Sequence, residues 1–460
     1  MERSVPRSVA GLALWRLAMG HARHLNPVRS VLERLFIGRR HRDRSMQPLT
    51  MRQATIAHRQ KRILLLGLFG GGNYGNDGSL AAMVDFLRHN CPEAELTSVC
   101  INPAKVEEDL RIPGIKINWP GFNNPLLRYL DKVALKLPHR VLNVVRTITE
   151  VRRFDAVVIP GTGVLTDYRA DPFGAPYWIF RWCVAARLCG ARLSMVNIGA
   201  GPIERRLSRW MLTCAARSAS YRSFRDGYSR DFVAHLGIDT GADQVYPDLA
   251  FMLAYRHTEQ RSAGPAEPAT VGIGVMSYNG WQGQARSDRS IYESYLSHLS
   301  QFVALLLRRG HRIRLLVGEI TDEPVVHELK EHLHRKHGIR LQGTELADAP
   351  IHSLQDLMRQ IAMTDIVVAS RYHNVICALK LGRPVISISY TKKHDELMAQ
   401  FGLAAFCQHI ERLSAAQLLR QFHDLLETRA THEGRIAQRI AEFGDRLTLQ
   451  SCALLQSILG

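Results

Sequence analysis

The sequence predicts an α/β protein made of two Rossmann-like halves facing a cleft, and three observations carry that prediction. Short apolar runs of strand length alternate with helix-like stretches along most of the chain. The alternation breaks once, at the polar, Gly/Pro/Ala-rich stretch HTEQRSAGPAEPAT (257–270), and then resumes. Glycine-rich and polar turns follow the apolar runs, where open parallel sheets bind their ligands.

In the first half, ILLLGLF (63–69), ELTSVCI (95–101), DAVVIP (155–160) and RLSMVNIGA (192–200) read as strands. These runs are continuously apolar, as expected of parallel strands covered on both faces. Residues 79–90, 177–190 and 203–219 read as helices, and YRSFRDGYSRDFVAHLGI (221–238) adds a short strand and a helix closing at Gly237. The second half repeats the rhythm: VGIGVMS, a helix over 291–309, HRIRLLVG, a helix over 323–336, DIVVAS, a helix from His373, and PVISISY. The expected organisation is an N-terminal extension at 1–60, a domain at 61–256, a linker at 257–270 and a second domain at 271–460.

Composition narrows the function classes. Of the net charge of +18, residues 1–62 carry +11 (fourteen Lys/Arg against three acids), which leaves +7 for the longer remainder. The body is therefore only mildly basic, which argues against a general nucleic-acid binder. The eight cysteines form no Cys-x-x-Cys pair and no Cys/His cluster with metal-ligand spacing, so a reduced, cytoplasmic protein without a structural metal is expected. No apolar run is long enough for a transmembrane helix. VAGLALWRLAM, interrupted by Arg16, lacks a convincing signal cleavage site. It is a candidate amphipathic helix for peripheral contact with a membrane, or else part of a basic tail.

The turn LFGGGNYGNDGS (68–79) matches G-x-G-x-x-G through Gly70, Gly72 and Gly75. A dinucleotide site also needs an acid at the tip of the second strand. That tip reads Cys100-Ile101-Asn102-Pro103, while Glu93 and Glu95 stand at the wrong end. A nicotinamide or flavin site is therefore not expected, and no Gly-Lys-Ser/Thr follows to make a P-loop. The turn offers backbone N–H groups, the amides of Asn73 and Asn76, and one carboxylate, Asp77, a set suited to a sugar. Asp77 equally suits a cap for the helix that follows.

The second informative turn is ASRYHNVICALKLGRPVISISYTKKH (369–394). Arg371 and His373 fall where a helix N-terminus offers N–H groups to an anion. Arg371 can grip phosphate or carboxylate in a fork, and His373 can move a proton near neutral pH. Lys392 and Lys393 follow the next strand on the same edge.

Through GNYGNDGS, VVIPGTGVLTD (157–167), SFRDGYSRDFVAHLGI with PDLAF (247–251), and SRYHNVICALKLGRPVISISYTKKH, the sequence resembles the polysaccharide pyruvyl transferases over most of 63–403. The resemblance implies a two-domain fold like that of GT-B glycosyltransferases, phosphoenolpyruvate (PEP) as donor and a glycan hydroxyl pair as acceptor, soluble or lipid-linked. It implies no cofactor beyond the co-substrate PEP, and no metal. By motif it implies His373 as catalytic acid/base, with Arg371, Lys393 and Arg225 holding PEP. Asp77 and Asp167 are candidate bases for an acceptor hydroxyl, and Gly72, Asn73, Gly75, Gly161, Gly163 and Asp167 line the acceptor side. Asp226 and Asp248 are expected to be structural. Thr391-Lys392 stands where the family often has Asp-Pro, and Thr162 replaces a glycine. A GT-B glycosyltransferase with a nucleotide-sugar donor is the alternative.

Overall fold

The computed structural model describes residues 60–134, 136–168, 170–255, 268–280, 289–340 and 345–459. The basic segment before residue 60 and most of the expected 257–270 linker lie outside the described residues; Thr270, its last residue, already begins a strand.

The first domain is a seven-stranded, all-parallel sheet in the order β3-β2-β1-β4-β5-β6-β7. Its strands are β1 (Arg62–Leu66), β2 (Glu95–Cys100), β3 (Gly114–Lys116), β4 (Ala156–Pro160), β5 (Arg192–Ile198), β6 (Tyr221–Phe224) and β7 (Gln244–Val245). The second is a six-stranded sheet in the order β10-β9-β8-β11-β12-β13. It comprises β8 (Thr270–Gly274), β9 (Arg312–Leu316), β10 (Leu346–Ala347), β11 (Ile366–Ala369), β12 (Val385–Ser389) and β13 (Cys407–His409). Both sheets place their first strand at the reversal of strand order, between β2 and β4 and between β9 and β11.

The halves share a local device. Asp155 accepts from the Arg62 N–H that opens β1 (2.8 Å), and Asp365 accepts from the Thr270 N–H that opens β8 (2.7 Å). Each carboxylate satisfies the first donor of a central strand whose remaining donors go into the ladder.

The helices, in chain order, are α1 (Tyr74–Asn90), α2 (Pro103–Leu110), α3 (Pro125–Val133), α4 (Leu137–Val151), α5 (Ala175–Cys189), α6 (Arg206–Ser218) and α7 (Gly227–His235). The second domain adds α8 (Arg289–Arg308), α9 (Glu323–His337), α10 (Leu354–Ala362), α11 (Tyr372–Lys380), α12 (Lys392–Gln400), α13 (Ala415–Glu427) and α14 (Arg429–Leu459). Helix α2, the α3–α4 hairpin, α10, α12 and the short strands β3, β7, β10 and β13 have no counterpart among the elements read from periodicity. Helix α1 starts at Tyr74 rather than at residue 79, because Asn73 caps it by accepting from the Asn76 N–H. Asp77 is therefore inside the first turn and is not the cap.

Helix α14 leaves the second domain and returns to the first. Gln450 meets Asn197 and Ser223 at the end of β5 and on β6, and Ser457 meets Ser194 at 2.8 Å. Asn197 has φ 49° at an irregularity in the β5–β6 register, which turns its amide toward Gln450 and the Pro247 carbonyl. A buried polar network of this kind fixes how the long helix seats.

Candidate functional site

The carboxyl edges of the two sheets face each other, and the glycine-rich turn is what lets them meet. A Cβ on Gly72 would lie 2.4 Å from Ile320, one on Gly75 1.9 Å from His373 Nδ1, and one on Gly78 2.3 Å from Leu354. All three neighbours belong to the second domain. Backbone bonds close the seam: Tyr74 N–H to the Gly318 carbonyl (3.3 Å) and Ile320 N–H to the Gly72 carbonyl (2.9 Å). The glycines serve close domain approach, and Gly72 and Gly75, expected on the acceptor side, meet protein in this arrangement.

Arg371 follows β11 at that seam. Its Nε and Nη2 donate to the two oxygens of Asp322, each at 2.7 Å, and its Nη1 lies 2.5 Å from Glu319. Glu319 also accepts from Asn73 Nδ2 of the first domain (3.3 Å). Burial works against the Arg371 charge, but these carboxylates outweigh it and hold the guanidinium above its ordinary pKa. Arg371 is thus engaged on every side by the chain's own acids.

Arg225 follows β6 and is buried, but it is under-paired. Nη1 donates to Asp248 at 3.2 Å, whereas Nε stops 3.6 Å short of Asp226 Oδ2, and neither of those two atoms has a hydrogen-bond partner. Its guanidinium lies 4.9 Å from the centre of the Tyr372 ring, with Lys393 Nζ 5.0 Å from the same ring. Lys393 makes no hydrogen bond or ion pair among the described residues. Burial first, then Arg225, pulls its ammonium down to about 7, against the upward pull of Asp226 and Asp248.

His373 presents Nδ1 to Gly75 and Nε2 toward Asp248 Oδ2, 4.0 Å away and beyond hydrogen-bond reach. Nε2 is buried without a partner. Burial lowers the imidazole to about 4, with Arg225, Lys393 and Arg371 adding to the effect and Asp248 opposing it. The ring is therefore neutral at pH 7. Close by, fully buried His394 ties the two turns together: its Nε2 donates to the Ser370 carbonyl (3.1 Å) and its Nδ1 accepts from the Thr391 hydroxyl (2.9 Å).

Beside His373 lies a small cavity of about 130 Å³, lined by Arg225, Asp226, Asp248, Tyr372, Lys393 and, from α14, Arg439 and Arg446; His373 meets it through Asp248 and is not in its lining. Helices α11 and α12 begin beside it, and neither N-terminus has a side-chain cap. Uncapped N–H groups, four cations and two acids make a receptor for a small multivalent anion.

The other expected residues fall elsewhere. Asp77 accepts from the Gly70 N–H (2.7 Å) and borders a second cavity of about 250 Å³ with Leu80, Val106 and Leu354, away from the cations. Burial lifts its carboxyl to about 6, against the lowering bond from Gly70. Asp167 spends both oxygens on the Glu204 and Arg205 N–H groups (3.1 and 3.0 Å), just before α6. Gly161 packs against Ser79, while exposed Gly163 lies beside Arg225, where a Cβ would be 3.5 Å from Nη2. Asp248, read as structural, does cap a short helical turn at Ala250, but its second oxygen stands between Arg225 and His373. Its signal was its place, just past β7. Arg439 and Arg446 gave none, because only the return of α14 brings them to the cavity.

Among the described residues, no helix is long and apolar enough to cross a membrane, and no group of three or more His, Cys, Asp or Glu could hold a metal ion. No curated protein matches the chain. Solved structures match its fold at low identity. The UDP-GlcNAc 2-epimerase from Neisseria meningitidis, bound to UDP-GlcNAc, aligns at 12% identity and TM-score 0.55, over 86% of this chain and all of that one, 100%. A glycosyltransferase from Rickettsia africae aligns at 12% and 0.53, over 87% of this chain and 98% of that one. These likenesses establish the architecture, two Rossmann-like domains in the GT-B manner. The model of the family described as polysaccharide pyruvyl transferase matches residues 73–392, from the cap of α1 to the first residue of α12. That match spans more than half of the chain and includes Arg225, Arg371 and His373, and the chain belongs to the polysaccharide pyruvyl transferases, enzymes that move a pyruvyl group onto a glycan.

Proposed function

We propose that this enzyme takes its pyruvyl group from PEP and closes it as a ketal on two hydroxyls of one sugar in a polysaccharide or its precursor. The observation that carries the reading is a cavity of about 130 Å³ bordered by Lys393 and the under-paired Arg225, with the unpartnered Nε2 of His373 4.0 Å from Asp248 in its lining. PEP brings a phosphate and a carboxylate on three carbons, and unmet cations in a small cavity suit it. A nucleotide-sugar donor belongs to the drug-sized class that fills pockets of roughly 300 Å³ or more.

Lys393 and Arg225, with the free N–H groups of α11 and α12, hold the two anionic groups. Arg371, pinned by Asp322 and Glu319, keeps the His373 turn in place and adds positive field. The bound anion raises the His373 pKa, and its Nε2 delivers a proton to the methylene carbon, which becomes the methyl. One sugar hydroxyl bonds to the enol carbon, phosphate leaves with the electron pair of its C–O bond, and the second hydroxyl closes the ketal. Of the two hydroxyl protons released, one balances the proton on the methyl carbon and one leaves on phosphate. Asp248, beside Nε2, steadies the imidazolium. Protein cations meet the phosphate, so the reading requires no resident cofactor; free cysteines at all eight positions support a reducing cytoplasm.

The test is phosphate release from PEP over a panel of glycans. Positioned acid–base groups contribute about 10²–10⁴-fold, and His373→Ala is expected to lose that much turnover. Wild-type-like turnover by His373→Ala, or stabilisation of the protein by a nucleoside diphosphate and not by PEP, contradicts the reading.

A further inference from the structure

The α3–α4 hairpin is built inside out. Helix α4 buries Asn143 and Thr147, which bond to Trp119 N–H, the His139 carbonyl and each other's turn. Val151 and Ile148 in its last turn join the core, but Leu137, Val141 and Val145 point the other way and are 56–60% exposed. Helix α3 buries nothing, and its Leu126, Leu130 and Val133 are 52–63% exposed. In an ordinary surface helix the apolar stripe faces the core. Here two consecutive helices turn theirs outward, a concentration well beyond scattered surface leucines.

The charge around this face identifies what covers it. From residue 125 to 146 the hairpin carries Arg128, Lys132, Lys136, Arg140 and Arg146 against one acid, Asp131. That acid is occupied within the hairpin, accepting from the His139 N–H at 2.9 Å. A second copy of this chain would bring the same cations against these and so repel. An apolar stripe with basic flanks is the pattern of helices that lie in the plane of an anionic bilayer. We infer that the α3–α4 hairpin docks this enzyme on an anionic membrane surface, with the leucines and valines among the acyl chains and the Lys/Arg side chains on the headgroups. The hairpin leaves the carboxyl end of β3, the sheet edge that also carries the site. The inference is independent of which donor and acceptor the enzyme uses.

The test is flotation of the full-length protein with vesicles of equal phosphatidylglycerol and phosphatidylcholine, against phosphatidylcholine alone, at two salt concentrations. Wild type is expected to float with the anionic vesicles and to lose most of that binding in high salt. Leu130→Glu with Val141→Glu, both at exposed positions, is expected to weaken flotation at least tenfold while melting temperature stays unchanged. Arg128→Glu with Lys132→Glu is expected to abolish the preference for anionic over neutral vesicles. Three results overturn the inference: wild type that stays in the aqueous phase; a Glu pair that floats like wild type, which hands the lipid to another part of the chain; or a Glu pair that converts a dimer to a monomer without changing flotation, which hands the face to a second copy.

Discussion

Arg371 and Arg225 both stand at the carboxyl end of a parallel strand with little of their side chains exposed, 12% and 5%, and both belong to turns that resemble the same family. Their surroundings differ in the one respect that matters for ligands. Arg371 finds a matched fork in Asp322 and a further oxygen on Glu319. Arg225 finds one bond to Asp248 and leaves its Nε short of Asp226, with Lys393 unpaired nearby. A charge fully met by the chain holds structure; a charge left short of partners in a cavity is held for something else. Residue type and position along a strand do not separate the two cases, whereas the count of satisfied donors does.

The contrast is sharpest under mutation. Arg371→Ala strands Asp322 as a buried, unpaired carboxylate, and breaking such a pair costs about 3–5 kcal/mol. Chemical denaturation should show a loss of that order; a loss under about 1 kcal/mol would mean the fork is no more than a surface contact. Lys393→Met removes an ammonium that burial already disfavours, so stability should hold. PEP affinity should fall about 10–100-fold, the scale of a lost charge-assisted bond, as measured by calorimetric titration.

Gly75→Ala tests the seam between the domains. The backbone of an early helical turn accepts alanine, but the added Cβ would occupy the place of His373 Nδ1. The imidazole must swing away, so kcat should drop about tenfold or more while the melting temperature moves little; 1.4 kcal/mol of lost transition-state contact is enough for that. An unchanged kcat would show that His373 acts from another rotamer.

The smallest effect is in pH. Lys393, lowered to about 7 by burial and Arg225, is substantially neutral at pH 7. A bound anion raises that pKa, so PEP binding takes up a proton, and affinity should fall as pH rises above 7, by up to about tenfold per unit. In the unliganded protein the sign is opposite. Between pH 7 and the ordinary lysine value the unfolded chain holds one more proton than the folded one, so this group adds stability as pH rises. Lys393→Met should flatten both slopes.

Much of this was legible in the sequence. Continuous apolar runs announced both parallel sheets. The SRYH and TKKH stretches brought Arg371, His373 and Lys393 to adjacent strand ends. Pairing between distant turns was not legible. Asp322 and Glu319 lie 49 and 52 residues from Arg371 and meet it within the second domain, past the ends of β9 and β11, while Asp248 lies 125 residues from His373, and only the closed seam makes those two neighbours. The glycines were read for the backbone freedom of a tight turn, which Gly70 and Gly72 use at φ 68° and 86°; what the sequence did not show is that Gly72, Gly75 and Gly78 also give clearance to Ile320, His373 and Leu354. The hairpin escaped because its helices follow an outward stripe that no core explains.

The most direct test is a titration of PEP into wild type and Lys393→Met in two buffers of different ionisation enthalpy at pH 7.5. The account predicts PEP binding to wild type with net proton uptake, and weak binding without uptake in Lys393→Met. Equal affinity in the two proteins, or a wild type that ignores PEP and binds a nucleoside diphosphate, would contradict it.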